Sequence, residues 1–141
     1  MVMTTNPFVG TWTLNIAKSN FDPNHHPTAG TMAFELNEEG HYLMRAEGLN
    51  AKGEKVAERP ARFIPDGQLY PIPDFPGLFA TSTQPDPHTL IGEARREDGS
   101  IVGGGTMVVS ADRRSLTATN FGYDSQLRQF KQQTVWDRES E

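Results

Sequence analysis

Apolar and polar residues alternate along much of this chain, with the two-residue period of a β-strand that buries one face. In segment 8–16, the side chains of Phe8, Trp12 and Leu14 share one face and threonines lie on the other. The same period predicts strands over residues 8–16, 31–37, 41–48, 54–64, 78–83, 88–96, 101–110, 115–122 and 127–138. No segment has the period of a helix of ordinary length.

Short turns rich in glycine, asparagine and acidic residues separate these strands, as antiparallel hairpins require. Pro60 interrupts the strand 54–64, which is therefore an edge strand, a bulged strand or two shorter strands. Segment 17–27 is too rich in turn formers and proline to hold more than one helical turn. Segment 65–77 carries four prolines, which predict a stiff loop with a short strand around Leu69–Tyr70. Together the pattern predicts one all-β domain over residues 1–141, an antiparallel up-and-down barrel of eight to ten strands with little or no helix and flexible residues 1–6.

Composition narrows the possible partners. The net charge of −5 disfavours nucleic acid, and no stretch approaches the roughly 18 apolar residues of a membrane span. The absence of cysteine excludes a disulfide scaffold, a thiol nucleophile and a cysteine-ligated metal. Residues 1–6 lack the features of a signal peptide, so we expect a cytoplasmic protein, or a periplasmic one if a leader was removed. We expect no cofactor, and a homodimer stays open.

The first and last strands resemble those of known families. Segment 8–14 resembles the first strand of the fatty-acid-binding proteins, and Gly10-x-Trp12 is similar to the first signature of the lipocalins. Trp136 and Arg138 stand where those families carry an aromatic or basic residue near the first-strand tryptophan. Gly10–Ser19 and Asp66–Pro73 also resemble segments of small bacterial lipocalin-like proteins. The resemblance implies a lipocalin-like (calycin) barrel that encloses a ligand.

Two departures from those families change what the resemblance implies for the ligand. Segment 17–30 is too short and proline-rich for the two helices that cover the barrel in fatty-acid-binding proteins. The arginine and tyrosine that hold the fatty-acid carboxylate there would fall at Thr134 and Trp136, and Thr134 cannot supply the charge. Trp12 is expected to close one barrel end, with its indole N–H on a backbone carbonyl and Arg138 or Arg128 stacked over it. A ligand site should therefore lie toward the other end.

The function that this pattern favours is binding of a small, largely apolar molecule inside the barrel. Strand faces that alternation marks as inward supply the predicted wall, namely Phe34, Leu36, Tyr42, Met44, Phe79, Leu90, Met107, Phe121 and Phe130. Polar tips from Tyr42, Tyr70, Asn120 and Gln132 would orient the molecule. The loop around Tyr70 is either a rigid flap at the cavity mouth or a purely structural crossing.

Two other functions stay open from the sequence. The first is a barrel enzyme of isomerase, cyclase or hydratase type, with Tyr70, His88, Glu93 or Glu47 in proton transfer. The second is a filled barrel that serves as an assembly or interaction module. No metal site is predicted, because the adjacent His25 and His26 would point to opposite sides of an extended chain. The run Gly103–Gly105 is expected to let a strand coil or to leave room for a ring such as Trp12 or Trp136.

Overall fold

A computed structural model describes residues 6–21, 27–57, 60–73, 75–123 and 129–139. Within these ranges the chain forms eleven strands and no helix. They are β1 (Gly10–Asn20), β2 (Ala29–Leu36), β3 (Tyr42–Leu49), β4 (Lys55–Ala57), β5 (Ala61–Phe63), β6 (Tyr70–Pro71), β7 (Leu78–Asp86), β8 (Thr89–Arg96), β9 (Ile101–Val109), β10 (Ser115–Tyr123) and β11 (Gln129–Arg138). In the part of the chain that is described, no helix has the length and hydropathy to cross a membrane.

All strands belong to one antiparallel sheet in which chain neighbours are sheet neighbours. The order is β4-β3-β2-β1-β11-β10-β9-β8-β7-β6, with β5 also paired to β3. The first long strand therefore pairs with the last, as an up-and-down barrel requires. This arrangement confirms the predicted all-β, up-and-down architecture, while the eleven strands exceed the predicted eight to ten.

The two ends of the sheet meet through the segment that follows β5. Asp66 forms an isolated antiparallel bridge with Thr83 of β7. The Gly67 backbone N–H donates to the Ser82 carbonyl at 2.8 Å, and the Ser82 hydroxyl donates to the Ile64 carbonyl at 3.3 Å. Because these few bonds replace a full ladder, the barrel is less tightly paired here than elsewhere. The predicted strand 54–64 is two short strands on either side of Pro60, which was one of the alternatives.

Strand β1 continues beyond the segment predicted for it. It runs to Asn20, with a register shift against β11 between Asn15 and Asn20. The Ser19 hydroxyl donates to the Asn15 carbonyl at 2.7 Å and accepts from the Val135 backbone N–H at 2.8 Å. The hydroxyl thus replaces a carbonyl that the ladder lacks at the bulge. This local bond keeps residues 17–20 in the strand, although their composition indicated a break.

One end of the barrel, the closed end, is filled by side chains. Its buried members are Phe8, Trp12, Phe34, Tyr42, Leu90, Val109 and Leu116. The Phe8 ring meets the Phe34 and Tyr42 rings edge to face, with centroids 5.7 and 6.4 Å apart. Such aromatic contacts add about 0.5–1.5 kcal/mol each beyond the burial of their area. The closed end is therefore the packed core of the molecule.

Trp12 closes this end in the predicted way. Its side chain is fully buried, and its indole N–H donates to the Phe8 carbonyl at 3.0 Å. The Arg138 guanidinium lies over the indole, with Cζ 4.2 Å from the ring centroid. The alternative partner, Arg128, lies outside the described residues.

Arg138 also ties the chain segment before β1 to the last strand. Its guanidinium donates to the carbonyls of Pro7 and Val9, the latter at 2.9 Å, and to the Arg113 carbonyl at 2.6 Å. Gly10 makes room for this group, because a Cβ there would lie 2.6 Å from Arg138 Nη1. Gly10 also has a φ of +132°, which favours glycine. The Gly-x-Trp step and the last-strand arginine thus form a single structural unit.

Candidate functional site

The end of the barrel opposite Trp12, the open end, contains a large cavity. Its volume is about 1690 Å³, more than the roughly 300–1,000 Å³ of most small-molecule sites. The excess arises because the space continues out of the barrel and over the edge formed by β3 and β4. The inner-face residues that line it include Leu14, Met32, Met44, Ala46, Phe63, Ala80, Ser82, Leu90, Gly92, Ala94, Gly105, Met107, Ala118, Asn120, Phe130, Gln132, Thr134 and Trp136.

The register of the strands assigns these residues to the inner face. On β11, Thr134 pairs with Ala118 of β10, and both are buried. Asn120 pairs with Gln132 and so faces inward with them. The wall is mainly aliphatic, aromatic and glycine, with uncharged polar groups on the β10–β11 side. Charged residues that reach the cavity, such as Arg45, belong to outer faces or turns in the described chain.

The polar groups of the wall differ in whether they have partners. The Thr134 hydroxyl, in a residue only 5% exposed, accepts from the Trp136 indole N–H at 2.9 Å. Gln132 Oε1 is buried and has no hydrogen-bond partner. Thr134 and Trp136 thus face the interior where the resemblance implied a carboxylate-holding pair, yet they bond to each other and carry no charge.

Seven of the predicted wall and polar residues line the cavity, namely Met44, Tyr70, Leu90, Met107, Asn120, Phe130 and Gln132. Phe34 and Tyr42 face inward but belong to the closed end. The Tyr42 hydroxyl accepts from Asn6 Nδ2 at 2.7 Å and donates to Gln84 Oε1 at 3.1 Å. It is therefore engaged by the protein. Leu36 lies at the end of β2, 39% exposed and beyond the cavity lining.

Two predicted wall residues, Phe79 and Phe121, lie on the outer face, so those predictions are wrong. Phe79 pairs with Arg95 and Pro71, on the face opposite Ala80. Phe121 is 39% exposed and pairs with Gly104. A Cβ at Gly104 would lie 3.2 Å from the Phe121 ring. The glycine run therefore does leave room for a ring, but the ring is Phe121 and it covers the outside of β9.

Sequence reasoning missed other lining residues. Phe63 lies on β5, a strand of three residues that is too short to show alternation. Its ring stacks on Tyr42, with centroids 5.2 Å apart and an interplanar angle of 17°. The sequence identified Trp136 only as a residue of the last strand. Its place in the cavity wall follows from its pairing with Leu14. Ser82 had no signal in the sequence.

The four candidate proton-transfer residues are not brought together. Glu47 lies on the outer face of β3, 3.6 Å from the Lys55 ammonium. Glu93 lies on the outer face of β8, 2.6 Å from the Arg95 guanidinium. Both line the part of the space that extends outside the barrel, and each carboxylate is paired with a cation, so neither is directed at the apolar inner wall. A ring nitrogen of His88 is 3.0 Å from the Val109 carbonyl, beside the closed end.

Tyr70, the fourth candidate, lies at the rim of the cavity. Its hydroxyl donates to Asp66 Oδ2 at 2.5 Å. This hydrogen bond raises the pKa of Tyr70 above its usual value and lowers the pKa of the Asp66 carboxyl below its own. The bond holds the loop between β5 and β6 in place at the mouth, on an exposed part of the molecule. Tyr70 therefore borders the cavity with its hydroxyl already occupied.

No group of His, Asp or Glu side chains among the described residues is arranged to hold a metal ion. The His25–His26 pair, which the sequence singled out, lies outside those residues. A second, smaller groove of about 270 Å³ lies on the outer face, lined by Leu69, Thr83, Ile91 and Glu93 among others. This groove does not bring the four candidate proton-transfer residues together either.

Comparison with known proteins places the fold. No family model and no curated protein matches the sequence. Solved structures do match. The fluorescent protein UnaG has a TM-score of 0.65 at 12% identity, over 96% of this chain and 100% of that one. Zebrafish ileal bile acid-binding protein, solved with cholic acid, has a TM-score of 0.60 at 10% identity, over 94% and 99%.

Secretory abundant heat soluble protein 4 from Ramazzottius varieornatus has a TM-score of 0.59 at 14% identity, over 99% of this chain and 100% of that one. At such identities the likeness concerns the fold alone. It nevertheless extends over nearly the whole length of each chain. The chain thus has the barrel fold of the calycins, the group to which the lipocalins and fatty-acid-binding proteins belong.

Proposed function

We propose that this protein binds a small, uncharged and largely apolar molecule in the open end of its barrel. One observation carries the proposal: the inner wall encloses a large apolar cavity above a packed closed end. Burial of apolar ligand surface supplies roughly 25 cal/mol per Å², and a few polar groups then fix the orientation. The structure of the zebrafish bile acid-binding protein with cholic acid supports a barrel of this shape as a container for a compact molecule.

The chemistry of the wall favours an uncharged ligand. A buried carboxylate needs a cation or several hydrogen-bond donors, since desolvation of an unpaired charge is very unfavourable. In this barrel Thr134 and Trp136 occupy the positions that would hold it and bond to each other. Asn120 and Gln132 are neutral amides. A molecule with hydrogen-bonding groups and no net charge fits this wall best.

The two alternative functions have less support. A filled barrel would lack a cavity of ligand size, and the open end holds one. An enzyme would need a proton-transfer group at the cavity. Of the four candidates, Tyr70, Glu47 and Glu93 border it. Asp66 accepts the hydrogen bond of Tyr70, and the two glutamates lie on outer strand faces beside Lys55 and Arg95. The geometry therefore favours binding over both alternatives.

The test is a titration with Nile red, a neutral and flat dye whose emission rises in apolar surroundings. The informative variant is Gly92→Val, because a Cβ at Gly92 would have no heavy atom nearer than the Thr81 carbonyl at 3.8 Å. The new side chain would therefore extend into the cavity without a collision in the protein. Thr106→Val on the outer face of the neighbouring strand is the control.

We expect the wild type and Thr106→Val to bind the dye alike, and Gly92→Val to bind it at least about fivefold more weakly with unchanged urea stability. Equal binding by Gly92→Val would place the dye outside the cavity and contradict the proposed site. Native mass spectrometry of the protein from its own host gives an independent readout. If it shows no bound molecule and Nile red also fails to bind the wild type, the proposed function is wrong.

A further inference from the structure

The barrel wall contains a gap between the two ends of the sheet. Within the described residues, β4 and β5 pair only with β3, and β6 pairs only with β7. The Asp66–Thr83 bridge and its neighbouring hydrogen bonds connect the two sides, but they lie nearer the closed end. Toward the open end, a lateral slot is therefore left in the wall, with β4 and β5 on one border and β6 on the other.

The cavity continues into this slot. Both borders supply lining residues, namely Val56, Ala61 and Phe63 on one side and Tyr70, Pro71 and Ile72 on the other. The same space also reaches side chains on the outer face of β3, among them Leu43 and Arg45. Because residues of both the inner and the outer face line one continuous space, the cavity opens through the side of the barrel.

Away from the slot, the rim of the open end is more covered. The Phe130 ring lies over Gly122, where a Cβ would be 3.3 Å from the ring, and Gly122 is buried. None of the described residues 97–100, which form the turn between β8 and β9, lines the cavity. The space therefore leads out of the barrel on the side of the slot.

The borders of the slot are apolar and exposed. Val56 is 49% exposed and Phe75, in the loop after β6, is 58% exposed. The Tyr70 ring lies between them and the cavity wall, with its hydroxyl held by Asp66. Large apolar side chains exposed around one opening mark a surface that contacts apolar molecules. An apolar ligand that crosses this border exchanges water for apolar contacts before it reaches the inner wall.

We propose that the ligand enters and leaves the cavity through this lateral slot, between Val56 on one border and Tyr70 on the other. The inference rests on the proposed function and adds the route by which an apolar molecule reaches that site. A route determines the height of the barrier between free and bound ligand, but not the free energy of either state. Obstruction of the slot should therefore slow association and dissociation by the same factor and leave Kd unchanged.

The experiment obstructs the slot from outside with a large polar body. The chain has no cysteine, so Val56→Cys supplies a single site for biotin maleimide, to which streptavidin then binds. Each biotinylated protein without streptavidin is its own reference, and stopped-flow fluorescence of Nile red gives both rates. Two controls carry the same body elsewhere. Val108→Cys replaces another exposed valine, 42% exposed, on the outer face of β9 near the closed end. Gln129→Cys lies at the open end, at the start of β11, which is midway between the two ends of the sheet order.

We expect streptavidin on Val56→Cys to slow both association and dissociation of Nile red at least about tenfold, with Kd changed by less than about twofold. On Val108→Cys and Gln129→Cys it should change neither rate by more than about twofold. Phe75→Cys, on the other border of the slot, repeats the test if Val56→Cys folds poorly, and should give the same slowing.

Three outcomes overturn the inference. Equal slowing from Gln129→Cys would show that the ligand passes through the end of the barrel. Unchanged rates in every variant would show that the slot is not the route. A weaker Kd without slower dissociation would show that the border belongs to the binding site itself. All three leave the proposed function intact, because Nile red still binds the wild type; if it does not bind, both proposals fail.

Discussion

The contacts of Arg138 predict that this one side chain contributes strongly to the stability of the barrel. Its guanidinium donates to the backbone carbonyls of Pro7, Val9 and Arg113 and lies over the Trp12 indole. Substitution to methionine keeps an unbranched apolar stem and removes every donor. We therefore expect Arg138→Met to loosen the connection between the first and last strands and the turn before β10.

The magnitude follows from these contacts. Hydrogen bonds from a charged donor contribute about 1.5–3 kcal/mol each when buried, and we take about 1 kcal/mol here because Arg138 is half-buried and water can replace part of the loss. The cation–π contact adds on the order of 0.5–1 kcal/mol. The free energy of unfolding should therefore fall by about 3–4 kcal/mol. For a domain of this size that lowers Tm by about 10 °C.

The assay is urea unfolding followed by tryptophan fluorescence, with Arg114→Met as the control. The Arg114 side chain is exposed and belongs to the same region of the molecule, so its removal should change stability by less than about 0.5 kcal/mol. Nile red affinity of the folded Arg138→Met variant should equal that of the wild type, because Arg138 lies at the closed end. A loss of less than about 1 kcal/mol, or an equal loss in Arg114→Met, would refute the reasoning.

Two further predictions concern the ends of the barrel. Gly10→Ala should lower the unfolding free energy by on the order of 2 kcal/mol, through its positive φ and the approach to Arg138 Nη1; in an Arg138→Met background the loss measured by urea unfolding should be smaller, and an equal loss would show that the contact is irrelevant. Tyr70→Phe should raise the pKa of Asp66 toward its usual 3.8, as followed by carboxyl-carbon NMR titration. Since the folded-state pKa of Asp66 is lowered, its stabilising effect is present above pH 3.8 and disappears as the pH falls through the folded value. An unchanged Asp66 titration in Tyr70→Phe would contradict the hydrogen bond.

Several features of the fold follow from local chemistry, and the sequence alone indicated them. A strand that buries one face must alternate, and a short connection between two strands must form a tight turn, whatever the rest of the chain does. The period around Trp12 therefore predicted a strand, and the sum of such strands predicted an up-and-down barrel. The Ser19 hydrogen bonds at the bulge in β1 are equally local. The sequence did not predict them, because the turn-forming residues after position 16 indicated the end of the strand.

The candidate site depended on relations between strands that alternation does not contain. Alternation divides a strand into two faces but does not say which one is inside, since that depends on neighbours far away in sequence. Phe121 illustrates the limit, because its ring lies outside on Gly104 of the adjacent strand. An apolar side chain can bury its surface either against a glycine on the exterior of a sheet or in the wall of a barrel.

The sequence by itself determined that the chain forms a β-barrel, that Trp12 closes one end, and that no charge stands at position 134. The strands follow from side-chain period, whereas the roles of Trp12 and of position 134 follow from residue identity read against the resemblance to lipocalins and fatty-acid-binding proteins. Only the tertiary structure decided that Gln132 is buried without a partner beside Asn120, and that Phe63 and Trp136 complete the wall. Partner atoms come from strands distant in sequence, so their presence or absence is a property of the closed sheet and its register.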